Sequence, residues 1–369
     1  MIKSRLLKEI ERDIAAAASP LESVGAQARR SILLARHGRV PAARDALTAL
    51  HQLAFQHPQL QMAAWLHLVE GLLSYFSDFG SDAWPSLQRA LNMAEAGGNS
   101  EVRDLALAWM CHLAYVRHDA DTCAALAARA QAEIAREHHS ARSRLCMALG
   151  LAQHYAGQAE VAKSWWAQCR AHAQAEGDDA TLSALIYNMA EQNLGQLRRE
   201  TLIRATSLQA AQRPEALLVA DSVTHFDAAV GGSALEVLTP LLRAQALLLQ
   251  GEHGQALALF EEHLPTALSK GLERLGSRLL SELAWCRLQC GQLDAARQQA
   301  AAAEQELDPT HDVDDRAATF SRLTQVYAAL GDAEAAQRHQ RAAVAEWLAF
   351  GADQAHWAEL LRAAGLDRL

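Results

Sequence analysis

The 369-residue sequence has little proline and few aromatic residues: eight prolines, with phenylalanine, tryptophan and tyrosine together at 5%. Valine, isoleucine and threonine are also sparse, although half of all residues are hydrophobic. Alanine and leucine, which favour helices, supply most of that half, and the residues that favour strands are the ones in short supply. The composition therefore predicts an all-α protein.

Positive charge and long apolar runs are lacking as well. The net charge is -9 and the pI is about 6.0, so the clustered Lys/Arg excess that neutralises phosphates is missing. No apolar run reaches the roughly 18 to 20 residues of a membrane span. Glu9, Glu11 and Asp13 interrupt the stretch that would form the apolar part of a signal peptide. We therefore expect neither a nucleic-acid partner nor a membrane partner.

The six cysteines lie within helical patterns and not at the spaced loop positions of a disulfide framework. Free thiols of this kind are typical of a reducing compartment. The sequence therefore predicts a cytoplasmic protein.

Turn-forming residues recur about every 40 residues, which indicates stacked helix-turn-helix units. The anchor residues are Gly38, Gly80, Asp119, Gly157, Gly195, Gly251, Gly291 and Gly331. An alanine follows five of the glycines at the fifth position: Ala43, Ala162, Ala256, Ala296 and Ala336. Glycine tolerates the positive φ needed where a helix reverses, and an alanine one turn into the next helix lets the two helices pack closely.

This pattern resembles the tetratricopeptide repeat, particularly the longer units of MalT-like bacterial regulators. Beyond the turn glycine and the alanine, the matching positions are a small residue seven before the glycine and an aromatic residue four before or nine after it. Those residues are Gly150, Ala244, Ala284, Phe76, Tyr115, Tyr327, Trp166 and Phe260. The resemblance covers roughly residues 21 to 365, and it implies a right-handed α-solenoid of about eight helix pairs with capping helices at both ends.

The expected organisation has five segments. They are an N-terminal capping helix at 1–20, repeats 1 to 5 at 21–212, an inserted helix at 213–233, repeats 6 to 8 at 234–351 and a C-terminal capping helix at 352–369. The inserted helix is predicted because the interval from Gly195 to Gly251 is 56 residues, longer than the others. Such a helix either packs in the groove of the repeats or offers a surface for a partner or for self-association.

The resemblance also implies which side chains line the concave groove, namely those thirteen, ten, six and three positions before an anchor glycine. The candidate binding residues are Arg144, Met147, Leu151, His154, Met189, Gln192, Gln245, Arg278, Ser281 and Trp285. Large apolar side chains with a few polar ones suit a peptide or a helix. The competing interpretation is that a tight superhelix, or the inserted helix, covers these side chains and makes them part of the core.

Motifs for chemistry are weak. The stretch GQAEVAKS, from Gly157 to Ser164, has an alanine where a phosphate-binding loop needs its second glycine. The pairs Cys286 with Cys290 and His138 with His139 each lack a second pair of metal ligands. No short nucleophile signature occurs. We therefore expect no cofactor, no metal and no catalytic residue.

The predicted function is protein interaction: a non-enzymatic adaptor or scaffold that binds a peptide, helix or partner protein in its concave groove. The alternative is a MalT-like sensor whose superhelix changes when a small ligand or peptide binds. The output of such a sensor would pass through a separate protein.

Overall fold

The computed structural model describes residues 2–78, 83–204 and 212–367, and within these ranges it is α-helical with no strand. The helices are α1 (Arg5–Ala16), α2 (Val24–Arg36), α3 (Val40–Gln56), α4 (Leu60–Asp78), α5 (Ala83–Gly97), α6 (Ser100–Val116), α7 (Ala120–Glu133), α8 (His139–Tyr155), α9 (Ala159–Glu176), α10 (Asp179–Arg204), α11 (Gln212–Val230), α12 (Leu238–Gln250), α13 (His253–Ala267), α14 (Gly276–Gln289), α15 (Leu293–Gln305), α16 (Val313–Ala329) and α17 (Ala333–Ala363). A single π turn at Leu268–Leu272 and a 3-10 turn at Glu273–Leu275 connect α13 to α14. The predicted all-α fold is confirmed.

Helices α2 to α17 follow one another as eight successive pairs among the described residues. The two members of a pair pack extensively, as in α4 with α5, α8 with α9 and α14 with α15. First helices of neighbouring pairs also touch, as in α2 with α4, α6 with α8 and α14 with α16. The stacking of first helix on first helix is the arrangement that a repeat of about 40 residues predicts.

The turn glycines have the backbone conformation that their positions predict. Gly38, Gly157, Gly251, Gly291 and Gly331 all have φ between 78° and 85°. The alanines five positions later are buried, as close helix packing requires. The small residue at Gly150 has an equally direct cause, because a Cβ added there would overlap the ring of Trp166.

Two anchor residues differ from the prediction, and a third lies outside the described residues. At the third turn the residue with positive φ is His118, at 53°, whereas Asp119 caps α7 by accepting a hydrogen bond from the Thr122 amide at 3.1 Å. The repeat register at this turn is therefore one residue earlier than the sequence suggests. Gly195 ends no helix, because α10 continues through it to Arg204. Gly80 lies outside the described residues.

The chain divides into two units. Unit 1 comprises Met1–Leu185, Phe226–Leu235 and His356–Leu369, and unit 2 comprises Ile186–His225 and Glu236–Ala355. The segment proposed as an inserted helix corresponds to α11, which stands in chain order as the second helix of the fifth pair. The segment proposed as a C-terminal cap is the last part of α17, which runs without a break from Ala333.

Unit 1 includes both ends of the described chain. Helix α1 begins at Ser4, whose hydroxyl accepts a hydrogen bond from the Leu7 amide at 3.3 Å, and its Leu6 and Ile10 pack against Leu33 and Ala26 of α2. None of the described helices is both long enough and apolar enough to cross a membrane.

Candidate functional site

Unit 1 contains a cleft of about 90 Å³, which we call the unit 1 cleft. Most of its walls come from the first helices α2, α4, α6 and α8, and the rest from α1, the end of α9 and the start of α10. The apolar lining is Leu6, Ile10, Ile32, Leu33, Leu72, Leu105 and Trp109, and the polar lining is Arg29, Arg36, Glu101, His138, Ser140, Arg144, Glu176 and Thr181. The first helices of the repeats therefore form this cleft, as the tetratricopeptide resemblance implies for a concave face.

Arg144 lies in this cleft with its charged group over an aromatic ring. Its Cζ is 3.8 Å from the centroid of the Trp109 ring, and only 6% of the residue is exposed. Burial, together with the positive charge of Arg36, lowers the pKa of Arg144 to about 10. The guanidinium is therefore still protonated at neutral pH, where it makes a cation–π contact that also fixes the plane of its N–H groups.

Arg36, at the end of α2, is paired with a carboxylate at the start of α10. Its Nη2 is 2.8 Å from Oδ2 of Asp178 and also donates to the Thr181 hydroxyl. Asp178 is buried, which by itself would raise its pKa, but Arg36 and the hydrogen bonds from Thr181 lower it overall. This pair joins residues 142 positions apart in the sequence, so it holds the first and fifth helix pairs together within unit 1.

The rim of the cleft is made of paired groups. Nδ1 of His138 is 3.2 Å from Oδ2 of Asp104, and the Ser140 hydroxyl donates to Oε1 of Glu176 at 2.9 Å. Arg29 lies 3.3 Å from an Asp13 oxygen and 3.6 Å from a Glu101 oxygen. These groups make the rim polar and leave the deeper part of the cleft to Arg144 and the apolar walls.

The other candidates on α8 lie in the packed interior. Met147 is 0% exposed and Leu151 is 3% exposed, and neither lines the unit 1 cleft. The ring of His154 is buried and stacks on Trp166 of α9, with 5.6 Å between the ring centroids. Of the four candidates on this helix, Arg144 is the one that the structure brings into the cleft.

Unit 2 has a group of buried and half-buried charges on α10, α14 and α16, which includes the candidate Arg278 and which we call the unit 2 charge cluster: Arg198, Arg199, Arg278, Glu282, Asp314 and Asp315. Nε of Arg278 is 2.6 Å from Oδ1 of Asp315, and its Nη1 is 4.0 Å from Oε1 of Glu282. Burial alone would lower the pKa of Arg278, but Asp315 and Glu282 raise it overall. Ser281 is buried beside it and donates to the Arg278 carbonyl at 2.7 Å.

Trp285 is half-buried at one side of this cluster. The guanidinium of Arg322 lies 5.1 Å from the centroid of the Trp285 ring, and the ring also packs against a core that includes Ala284 and Leu323. Gln245 is buried on α12, whereas Met189 and Gln192 on α10 are half-buried. The Gln192 amide donates to Oε2 of Glu191 at 3.2 Å.

Sequence reasoning missed several residues of the unit 1 cleft. The Arg36–Asp178 pair depends on the path of the chain over 142 residues, and no local pattern encodes that distance. Leu105 could have been found, because moving the third anchor from Asp119 to His118 places it thirteen positions before the turn, like Arg144. Trp109 lies ten positions before Asp119, which is a groove position in the predicted register, but it is not among the candidate binding residues.

The weaker motifs have ordinary structural positions. Gly157 makes the turn between α8 and α9, and Ala162 is packed with 0% exposure. His139 contacts His172, with 2.9 Å between their Nδ1 atoms, whereas Cys286 is buried and Cys290 is exposed. Across the part of the chain that the structure describes, no group of three or more His, Cys, Asp and Glu side chains is arranged to hold a metal ion.

Comparison with known proteins supports the fold and not a particular family. No protein-family model matches the chain, and no curated protein matches it. Among solved structures, the chain is similar to the crystal structure of a Rap protein complexed with competence and sporulation factor. The two chains share 13% sequence identity with a TM-score of 0.55, over 94% of this chain and 92% of the other. The fold is that of a tetratricopeptide-like helical repeat protein.

Proposed function

We propose that this chain is a cytoplasmic, non-enzymatic interaction module that binds a peptide, a helix or a partner protein on the concave faces of its repeats. The observation that carries the proposal is the unit 1 cleft, because it is formed by first helices and holds the buried Arg144–Trp109 contact. Arginine and tryptophan are the residue types most enriched among those that dominate binding energy. The similar Rap protein is complexed with competence and sporulation factor, which supports a binding role for this fold.

The remaining groove candidates belong to the same proposal. In unit 2, Trp285 offers a half-buried aromatic face, and Gln192 and Met189 are half-buried on α10. Arg278, Ser281 and Gln245 are buried, so they would support such a surface from beneath. A partner that uses unit 2 would contact Trp285 first.

A site-specific cross-linking experiment tests the proposal. A photoreactive amino acid replaces Ser140, which is half-buried at the rim of the unit 1 cleft, and in a matched variant it replaces Lys163, which is exposed on the second helix α9. We expect a cell lysate to give one stoichiometric cross-linked partner from position 140 and none from position 163. The same product from both positions, or none from position 140, contradicts binding at the cleft.

A regulatory sensor is the second candidate, and the small volume of the cleft favours it. A space of about 90 Å³ accepts a small molecule whole, whereas a peptide, helix or partner protein would fill it with a single side chain. The resemblance to MalT-like bacterial regulators supports the same interpretation. A metabolite panel in a thermal-shift assay separates the two functions, because a ligand that binds only the native state raises the melting temperature.

A further inference from the structure

We propose that the unit 1 cleft binds a carboxylate carried on a short aliphatic chain, with the Arg144 guanidinium as its partner. This assignment deepens the proposed function and rests on it, because it names the chemical group that the concave face of unit 1 recognises. The starting observation is that Arg144 is buried at 6% exposure and lines the cleft, yet makes no ion pair with a carboxylate of the described residues.

A buried guanidinium without an anion is costly. It cannot release its proton at neutral pH, and removing a charge from water is repaid only by a partner charge and hydrogen bonds. The Trp109 ring covers one face of the guanidinium at 3.8 Å but does not neutralise it. The N–H groups at the edge of the plane are the ones left for a ligand, and two of them match the two oxygens of a carboxylate.

The other charged residues that line the cleft already have partners, and Arg144 differs from them in this respect. Arg36 is paired with Asp178 at 2.8 Å, and His138 with Asp104 at 3.2 Å. Arg29 lies between Asp13 and Glu101, and Glu176 accepts from Ser140. Arg144 is therefore the cation of the cleft that lacks an anion among the described residues.

The walls indicate the kind of anion. Leu33, Leu72 and Leu105 are apolar and leave a space of about 90 Å³, which suits a short aliphatic chain. Glu101 and Glu176 at the rim repel a doubly charged group, and a phosphate usually needs several donors or a second cation. A singly charged carboxylate on an aliphatic chain would pair with Arg144 and pack its chain against the apolar walls.

Two sources supply this chemistry. One is a bound peptide, through its C-terminal carboxylate or an acidic side chain, and the other is a free small carboxylic acid. The shared group is the same, so the test includes a probe for each source: 4-methylpentanoate as the free acid, and N-acetyl-Ala-Ala-Leu as the peptide. Each is paired with its uncharged amide.

Ligand-observed NMR titration on the full chain measures the affinities. We expect at least one carboxylate to bind with a Kd of roughly 1 mM or lower, and its amide to bind about tenfold or more weakly. Binding of the tripeptide alone identifies a peptide carboxylate, and binding of 4-methylpentanoate identifies a free acid as sufficient. The proposal is overturned if neither carboxylate binds, or if acid and amide bind equally.

Variants locate the binding. Arg144→Met should weaken the carboxylate about tenfold or more, Arg144→Lys should retain part of the affinity, and Arg170→Met, at an exposed arginine of α9, should change nothing. Wild-type affinity in a folded Arg144→Met protein overturns the assignment, and if that variant does not fold, the comparison of acid with amide decides alone. A cross-linked partner at position 140 without carboxylate binding removes this inference and leaves the proposed function standing. Carboxylate binding without any cross-linked partner contradicts the proposed interaction module and leaves the assignment of the cleft to a carboxylate standing.

Discussion

His37 and His112 are buried in unit 1 in surroundings that keep them neutral. Burial lowers the pKa of His37 to about 4, helped by the charge of Arg36 and partly offset by Asp178. Burial also lowers the pKa of His112 well below its usual range, and Arg144 adds to the effect. Both histidines therefore resist protonation in the folded chain and accept it readily once the chain unfolds.

This difference predicts acid sensitivity. Below about pH 6.5 the unfolded chain binds protons that the folded chain does not, so the free energy of unfolding falls as the pH drops from about 6.5 to about 4. His37 alone accounts for up to about 3 kcal/mol over that window. Denaturant melts of His37→Asn should show a shallower dependence on pH, whereas His57→Gln, at an exposed histidine, should match the wild type. Equal pH dependence in the His37→Asn variant would contradict the argument.

The contact between Trp285 and Arg322 in unit 2 is a second measurable interaction. Burial lowers the pKa of Arg322 to about 10, and its Nη1 donates to Gln325 at 2.7 Å while the guanidinium lies over the Trp285 ring. A desolvated cation–π contact contributes about 0.5 to 2 kcal/mol. A double-mutant cycle with Trp285→Leu and Arg322→Met should give a coupling energy in that range, and a coupling near zero would mean that the two side chains only pack beside each other.

At the scale of the element, one arginine helps to hold the beginning of α1. Nη2 of Arg5 donates to the carbonyl oxygens of Gln174 and Ala175 at 3.0 and 2.7 Å, close to the end of α9. A positive charge at a helix C-terminus is favourable because the last carbonyl groups have no partner within the helix. Arg5 therefore anchors α1 over the unit 1 cleft, where Leu6 and Ile10 form part of the lining.

Replacing this anchor should loosen α1 selectively. Because the Arg5 side chain is 58% exposed, we expect Arg5→Gln to cost about 1 kcal/mol or less. Hydrogen exchange of residues 5 to 16 should become faster while exchange in α4 and α6 stays the same. Arg12→Gln is the matched control, since Arg12 is 77% exposed and its ion pair within the described part of the chain is with Glu9 of the same helix, at 3.9 Å. Equal exchange in both variants would show that the Arg5 hydrogen bonds do not hold α1 in place.

The helices were predictable where the local rule is strong. Gly157 and Gly291 end helices because glycine adopts positive φ at no cost, and that rule needs no knowledge of the rest of the chain. Gly195 was wrongly predicted to end a helix, because the sequence does not distinguish a glycine inside a long helix from a glycine at a turn. His118 escaped notice because a residue other than glycine seldom takes a positive φ. Arg144 was placed in the groove by register alone, whereas its contact with Trp109 depends on how α6 packs on α8.

At the scale of the whole molecule, the chain passes four times from one unit to the other. Unit 1 is built from three stretches of sequence and unit 2 from two. Because neither unit is one continuous stretch of sequence, no single cut in the chain yields either unit whole. The last stretch of unit 1 is also short, yet it carries Trp357, which is fully buried.

Trp357 tests how much that last stretch contributes. Its ring meets those of Tyr115, His118 and Tyr155, with centroid distances of 5.9, 6.5 and 5.7 Å. We expect Trp357→Ala to cost about 3 to 5 kcal/mol. Hydrogen exchange should rise in α6 and α8 of unit 1, with little change in α14 and α15. Trp347→Ala, at a half-buried tryptophan of unit 2 whose Nε1 donates to Ser321 at 2.9 Å, should raise exchange in α16 instead. A uniform rise throughout the chain in either variant would show that the two units unfold as one.

The three-part construction of unit 1 also determines the order of events during synthesis. Residue 356 leaves the ribosome 171 positions after residue 185, a delay of roughly 10 to 35 s at ordinary rates of translation. Throughout that delay the rings of Tyr115 and Tyr155 lack the tryptophan that covers them. The nascent chain therefore exposes an incomplete aromatic pocket, which a chaperone can hold, until Trp357 has been made.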